Sequence, residues 1–241
     1  LADLNCDMGE SFSLYNMGND AELMPYIDQA NVACGFHASD PNHMRTTIEM
    51  AVAHSVRIGA HVSLPDLAGF GRREMKIEEE EMLNIVLYQI GALDAFCKQA
   101  GTVLSHIKPH GALYGMAARQ EPIARAIASA SRIYGLPVMG VAGTLHETVY
   151  EAEAAGFIAE FFADLDYRDE YGPVITREHE AVDPVLAAER VRRAVVDGVL
   201  LTVEGRSLPV RAETVCIHSD TPNSRDIAGA VSAVLARIRT A

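Results

Sequence analysis

Residues 29–43 read Q-A-N-V-A-C-G-F-H-A-S-D-P-N-H: a small, apolar, β-prone half, then an abrupt change to polar residues. A short apolar run without alternation suits a strand buried on both faces. Asp40 and Pro41 then have the chemistry of a helix cap and first helical residue. Met44, Ile48, Met50, Ala51 and Val52 follow at roughly helical spacing. The pattern predicts a strand, a loop carrying His37 and Asp40, and a helix.

That punctuation recurs along the chain. Further strands are predicted at 2–7, 57–62, 102–107, 137–141, 157–163 and 214–217, and helices at 76–99, 122–134, 144–155, 183–196 and 222–239. In the first strand a period of two puts Asp3, Asn5 and Asp7 on one face and Leu4 and Cys6 on the other. Residues 65–73 and 167–180 read as irregular loops, and 200–210 as a small hairpin around Glu204-Gly205-Arg206. About seven strand–helix units without a composition break predict one domain over 1–241, a parallel (β/α) barrel that is incomplete or distorted. An open doubly wound sheet is the alternative.

Charge narrows the partners. A net charge of −13 argues against nucleic acid or an anionic membrane, both of which need a basic surface. No apolar run approaches the ~20 residues of a membrane span, and the first residues lack the pattern of a secretory leader. Cys6, Cys34, Cys97 and Cys216 stand singly in apolar surroundings, as buried thiols of a cytoplasmic protein do.

Candidate chemistry collects where predicted strands end: Asp7 and Glu10, His37 and Asp40, His61 and Asp66, Lys108 and His110, Asp164, and His218 with Asp220. In a parallel barrel all these ends open on one face, so the side chains converge. One strand-end histidine is unremarkable; four at four strand ends mark an active site. The set suits a divalent ion, with Asp7, His37, His61 and His110 as candidate ligands, and equally suits acid–base work near neutral pH. His106 and His110 have the spacing of a helical ligand pair, but Pro109 and the preceding strand argue against a helix there. Lys108, or Arg72 behind the Gly69–Gly71 turn, can hold an anion, and Asn31 needs hydrogen bonds inside an apolar strand. Neither a Walker A loop, a strand followed by G-x-G-x-x-G, nor a G-x-S-x-G elbow is present.

Several long stretches resemble the LamB/YcsF family: D-L-N-C-D-M-G-E-S-F from position 3, A-N-V-A-C-G-F-H-A from 30, I-G-A-H from 58, P-D-L-A-G-F-G-R-R from 65, K-P-H-G-A-L-Y from 108, F-A-D from 162 and H-S-D-T-P-N from 218. The resemblance implies a distorted barrel related to the polysaccharide-deacetylase fold. It implies ATP-dependent opening of 5-oxo-L-proline to L-glutamate by the A subunit of a 5-oxoprolinase, working with B and C subunits, with ATP bound together with those partners. The site residues it implies are Asp7, Glu10, Asn31, His37, Asp40, His61, Arg72, Lys108, His110, Asp164 and His218. Asp7, Glu10, His37, His61, Lys108 and His110 are expected to be catalytic, and the others to bind the lactam. The chain departs from the family pattern at Ser39 and Ser219, which stand for glycines, at Val62 after His61, and at Leu165, where an Arg is usual. A stand-alone metal-dependent amidohydrolase or deacetylase, and a non-catalytic substrate-binding subunit, are the competing readings. Ala at Lys108 or His110 is expected to abolish turnover without disturbing the fold.

Overall fold

The structure, a computed structural model, describes residues 2–168, 172–173 and 180–240. Its strands are β1 (Asp3–Met8), β2 (Gln29–Ala33), β3 (Arg57–Val62), β4 (Leu104–Pro109), β5 (Val138–Gly140), β6 (Phe157–Phe162), β7 (Tyr167–Arg168), β8 (Gly172–Pro173), β9 (Val199–Leu201), β10 (Ser207–Pro209) and β11 (Thr214–Ile217). Seven of them close a parallel barrel in the order β1-β11-β6-β5-β4-β3-β2. Closure comes from β1, which pairs with β2 through Asp7 and Asn31 and with β11 through Asn5 and Cys216. That double pairing excludes the open doubly wound sheet. β9 and β10 form the expected hairpin, and β7 pairs with β8 inside the stretch read as loop. The rest of that stretch, 169–171 and 174–179, lies outside the described residues.

Helices α1 (Asp20–Leu23), α2 (Pro41–Ala53), α3 (Glu79–Gln99), α4 (Gly111–Ala117), α5 (Glu121–Tyr134), α6 (Leu145–Glu153), α7 (Pro184–Arg192) and α8 (Ser224–Thr240) accompany the barrel strands. Their apolar stripes are buried in the core: Met82, Val86, Ile90, Leu93 and Cys97 on α3, and Ile227, Val231 and Leu235 on α8. α3 starts later than residue 76, because Glu78 takes extended backbone at its N-cap. α1 and α4 escape the sequence pattern because so few turns show little periodicity. Among the described residues no helix is long and apolar enough to cross a membrane. All four cysteines are free and buried.

Both faces of the barrel strands are buried, but with opposite chemistry. Leu4, Cys6 and Met8 belong to the hydrophobic core, so alternation turns Asn5 and Asp7 into the barrel. There Asn5 donates to Thr214 Oγ1 (2.8 Å), Asn31 donates to Asn5 Oδ1 (2.8 Å), and His106 Nε2 donates to Asn31 Oδ1 (2.7 Å). Room for His106 is made at Gly59, where the β3–β4 register shifts and any Cβ would collide with the imidazole. The polar floor satisfies its own hydrogen bonds, which a buried amide layer requires.

Candidate active site

Above this floor the carboxyl ends of the strands deliver the titratable groups. β4 extends through Pro109, two residues past its predicted end, so Lys108 is a strand residue pointing inward. Proline is tolerated there because the ladder ends with it. Lys108 is 2% exposed. Its Nζ lies 2.7 Å from Asp7 Oδ1, 3.1 Å from Glu160 Oε1 and 2.9 Å from Cys216 Sγ. Burial favours the neutral amine, but Asp7, Cys216 and Glu160 outweigh it and raise the Lys108 pKa well above its ordinary value. Asp7 also accepts from Asn31 Nδ2 at 2.9 Å. Burial opposes its ionisation, yet His61 and Lys108 hold it well below the usual carboxylate range.

Beside Asp7 stands a cluster of Glu10, His37, His61 and His110, all buried. Glu10 Oε1 lies 2.9 Å from His37 Nε2, 3.5 Å from His110 Nδ1 and 3.8 Å from His61 Nε2. His61 Nε2 and His110 Nδ1 are 3.0 Å apart. The rings of His37 and His110 stack at 3.8 Å, and Phe70 meets both edge-on. Gly71 closes the packing: it has φ +63°, and a Cβ on it would collide with Ser63 Oγ and press on His37 Cβ at 2.8 Å. Burial, then the neighbouring imidazoles, push His37 and His110 well below the ordinary histidine value, so both are neutral at pH 7. Burial and the nearby Asp7 raise Glu10 to about 8. The cluster offers four donor atoms and could hold a metal ion.

Across the cavity, Asp164 receives His218 Nδ1 at 3.0 Å and the His218 backbone N–H at 2.8 Å. Burial alone would favour neutral His218, but Asp164 outweighs it and raises the imidazole to about 9. Arg72, Lys108, Tyr114, Phe162 and Leu165 line the same cavity as His61, His110 and His218. Arg72 lies 3.6 Å from Asp220 and keeps part of its side chain open to solvent. A larger cavity beside α7 and the β9–β10 hairpin contains none of the predicted site residues.

Ten of the eleven predicted residues therefore gather in the barrel mouth or its supporting layer. Asp40 does not: its carboxylate accepts the backbone N–H groups of Ser13, Asn42 and His43 and caps α2. Asp66 is likewise occupied, by Arg73 and the Gly69 N–H. Of the expected metal-ligand candidates, His37, His61 and His110 gather with Glu10 in one group of possible donors, while Asp7 falls in a second group with Cys216 and His218. Glu160, Asn5, His106 and Cys216 are partners that sequence reasoning misses. Glu160 carries a signal, a lone acid in the apolar run F-I-A-E-F-F. Cys216, which reads as apolar-packed, touches an ammonium instead.

A family model described as LamB/YcsF family matches residues 2–240. The chain belongs to the LamB/YcsF family. It is 46% identical over 230 residues to a protein of Bacillus cereus (strain 03BB102) named as the A subunit of 5-oxoprolinase, covering 90% of this chain and 88% of that one. The Brevibacillus brevis protein of the same name is 47% identical over 226 residues, covering 90% and 87%. Among solved structures, the lactam utilization protein of Thermus thermophilus superposes with a TM-score of 0.91 at 40% identity, covering 99% of this chain and 97% of that one. A putative cellobiose-phosphate cleavage protein of Enterococcus faecalis V583 shares the fold, with a TM-score of 0.56 at 12% identity, covering 99% and 94%.

Proposed function

We propose that this chain is the A subunit of an ATP-dependent, cytoplasmic 5-oxoprolinase and opens 5-oxo-L-proline to L-glutamate with B and C subunits. The names of its LamB/YcsF relatives support the substrate. The observation that carries the chemistry is one cavity with two walls of opposite protonation: a neutral imidazole at His110, stacked on the buried neutral His37, and a charged imidazole at His218. Divergent pKa values in one site separate a proton acceptor from a proton donor. Its single barrel domain, residues 1–241, is the catalytic unit, and its four free buried thiols suit a reducing compartment.

Ring opening adds water across the lactam C–N bond. The carbonyl carbon gains the hydroxyl, the nitrogen gains the proton, and a second water takes up the phosphoryl group as ATP becomes ADP and phosphate. The Glu10–His37–His61–His110 wall receives water and takes its proton. His218, held charged by Asp164, protonates the departing nitrogen. Arg72 holds the substrate carboxylate or a transferred phosphate. Lys108 is saturated by Asp7 and Glu160, so it sets the field of the pocket and orients Asp7. Phosphorylation of the amide oxygen, with ATP bound together with the B and C subunits, makes the lactam carbon electrophilic; departure of the nitrogen after water adds leaves an acyl phosphate, which the second water hydrolyses.

The four-donor cluster favours a second reading, a metal-dependent amidohydrolase that needs no partner. Glutamate release from 5-oxoproline, with and without ATP, by the chain alone and with candidate B and C subunits, decides between them. Release only with all subunits and ATP is expected. Release by the chain alone without ATP selects the second reading. No release from folded, assembled subunits overturns both.

A further inference from the structure

The tautomers of two histidines are dictated by backbone carbonyls. His61 Nδ1 lies 2.9 Å from Lys108 O, and His110 Nε2 lies 2.8 Å from Phe70 O. A carbonyl only accepts, so each of these ring nitrogens carries the proton. The other ring nitrogens, His61 Nε2 and His110 Nδ1, point into the cluster, where His61 Nε2 also lies 3.3 Å from Asp7 Oδ2. The two nitrogens face each other at 3.0 Å in a buried site, so a shared proton or a bound cation must lie between them. Glu10 Oε1 and His37 Nε2 converge on the same point.

We infer that His61 Nε2, His110 Nδ1, Glu10 Oε1 and His37 Nε2 bind one divalent cation of the Zn²⁺ class. The separations around Glu10 Oε1 (2.9, 3.5 and 3.8 Å) and between the two facing imidazoles (3.0 Å) bracket the ligand–ligand edge of a tetrahedral ion, about 3.3 Å for bonds near 2.0 Å. Nitrogen and carboxylate donors suit a borderline ion, and the carbonyl partners supply the outer hydrogen bonds that fix ligating imidazoles. Four protein ligands complete a tetrahedral shell, so such an ion would lock the three imidazoles and Glu10 in place rather than present an open position to substrate. The inference does not rest on the 5-oxoproline reading, because uptake is measured on this chain alone without substrate.

The test is titration of the chelator-stripped full chain with Zn²⁺, and with Co²⁺ as a spectroscopic probe, followed by X-ray absorption of the loaded protein. One ion per chain, a visible tetrahedral Co²⁺ spectrum and a nitrogen/oxygen ligand shell are expected. Glu10→Gln and His110→Ala should each weaken uptake more than about tenfold, while His218→Asn leaves it unchanged. The wild-type spectra remain decisive if a variant fails to fold. Absence of uptake by the folded wild-type chain overturns the site. Uptake that survives both ligand substitutions also overturns it. So does a sulfur ligand, which would move the ion to the Asp7–Cys216–His218 group.

Discussion

Two walls of one cavity treat histidine in opposite ways. On the β2–β4 side His37 and His110 are surrounded by other imidazoles and a carboxyl that is itself raised to about 8, and both fall well below the ordinary value. On the β6–β11 side His218 has Asp164 beside it and rises to about 9. Burial is common to both walls and disfavours charge in each. The difference lies in whether a committed anion stands in contact. Asp7, the anion nearest the first wall, is shared among Lys108, Asn31 and His61. Burial disfavours charge at each of these histidines, and the allocation of carboxylates decides which of them keeps it.

Removing Lys108, which joins the walls, should have the largest effect. Lys108→Met leaves Asp7 and Glu160 as buried carboxylates without their cation. Stability should drop by about 3–5 kcal/mol, and ATP-dependent glutamate release by about 10²–10³-fold. Chemical denaturation checks the first and the coupled assay the second. Wild-type stability in the variant would break the account of the ion pairs.

Asp164→Asn isolates the second wall. A histidine raised to about 9 lends stability that is complete below its ordinary pKa, near 6.5, and is lost as pH rises through 9. The wild type should exceed the variant by on the order of 2–3 kcal/mol at pH 6, and that margin should vanish by about pH 10. Denaturant midpoints measured across this range test it, and a pH-independent margin would rule out the pair as its source.

The smallest effect sharpens the first wall. Ser39, two residues after His37, sits at φ +73°, a left-handed conformation that costs a non-glycine residue about 1–2 kcal/mol. Ser39→Gly removes that strain but adds freedom to the unfolded chain. A net gain of about 0.5–1 kcal/mol is expected, read as a higher Tm with activity nearly unchanged. A lower Tm would show that the Ser39 hydroxyl contributes more than its backbone costs.

Much of this architecture is legible from residue order. Polar residues at strand ends foretell the mouth, and Asn31 announces a polar interior. Asp40 is also legible as a cap candidate; what pattern cannot weigh is that capping uses up the carboxylate. Glu160 and Cys216 are invisible as partners of Lys108 because strands distant in sequence bring them to it. His106 is legible from spacing only as half of a helical pair, whereas the strand turns it under Asn31.

Residue order by itself determined the alternation of strand and helix, the apolar outer faces, the free thiols and the family motifs, because these depend on side-chain type and local spacing. Tertiary structure alone decided the closure of β1 onto β11, the partners that fix Lys108 and Asp7, and the separation of neutral from charged imidazoles. It also decided the two tautomers, since the acceptors at Lys108 and Phe70 are backbone carbonyls. Every residue carries such a carbonyl, so only the path of the chain can say which one a histidine will meet.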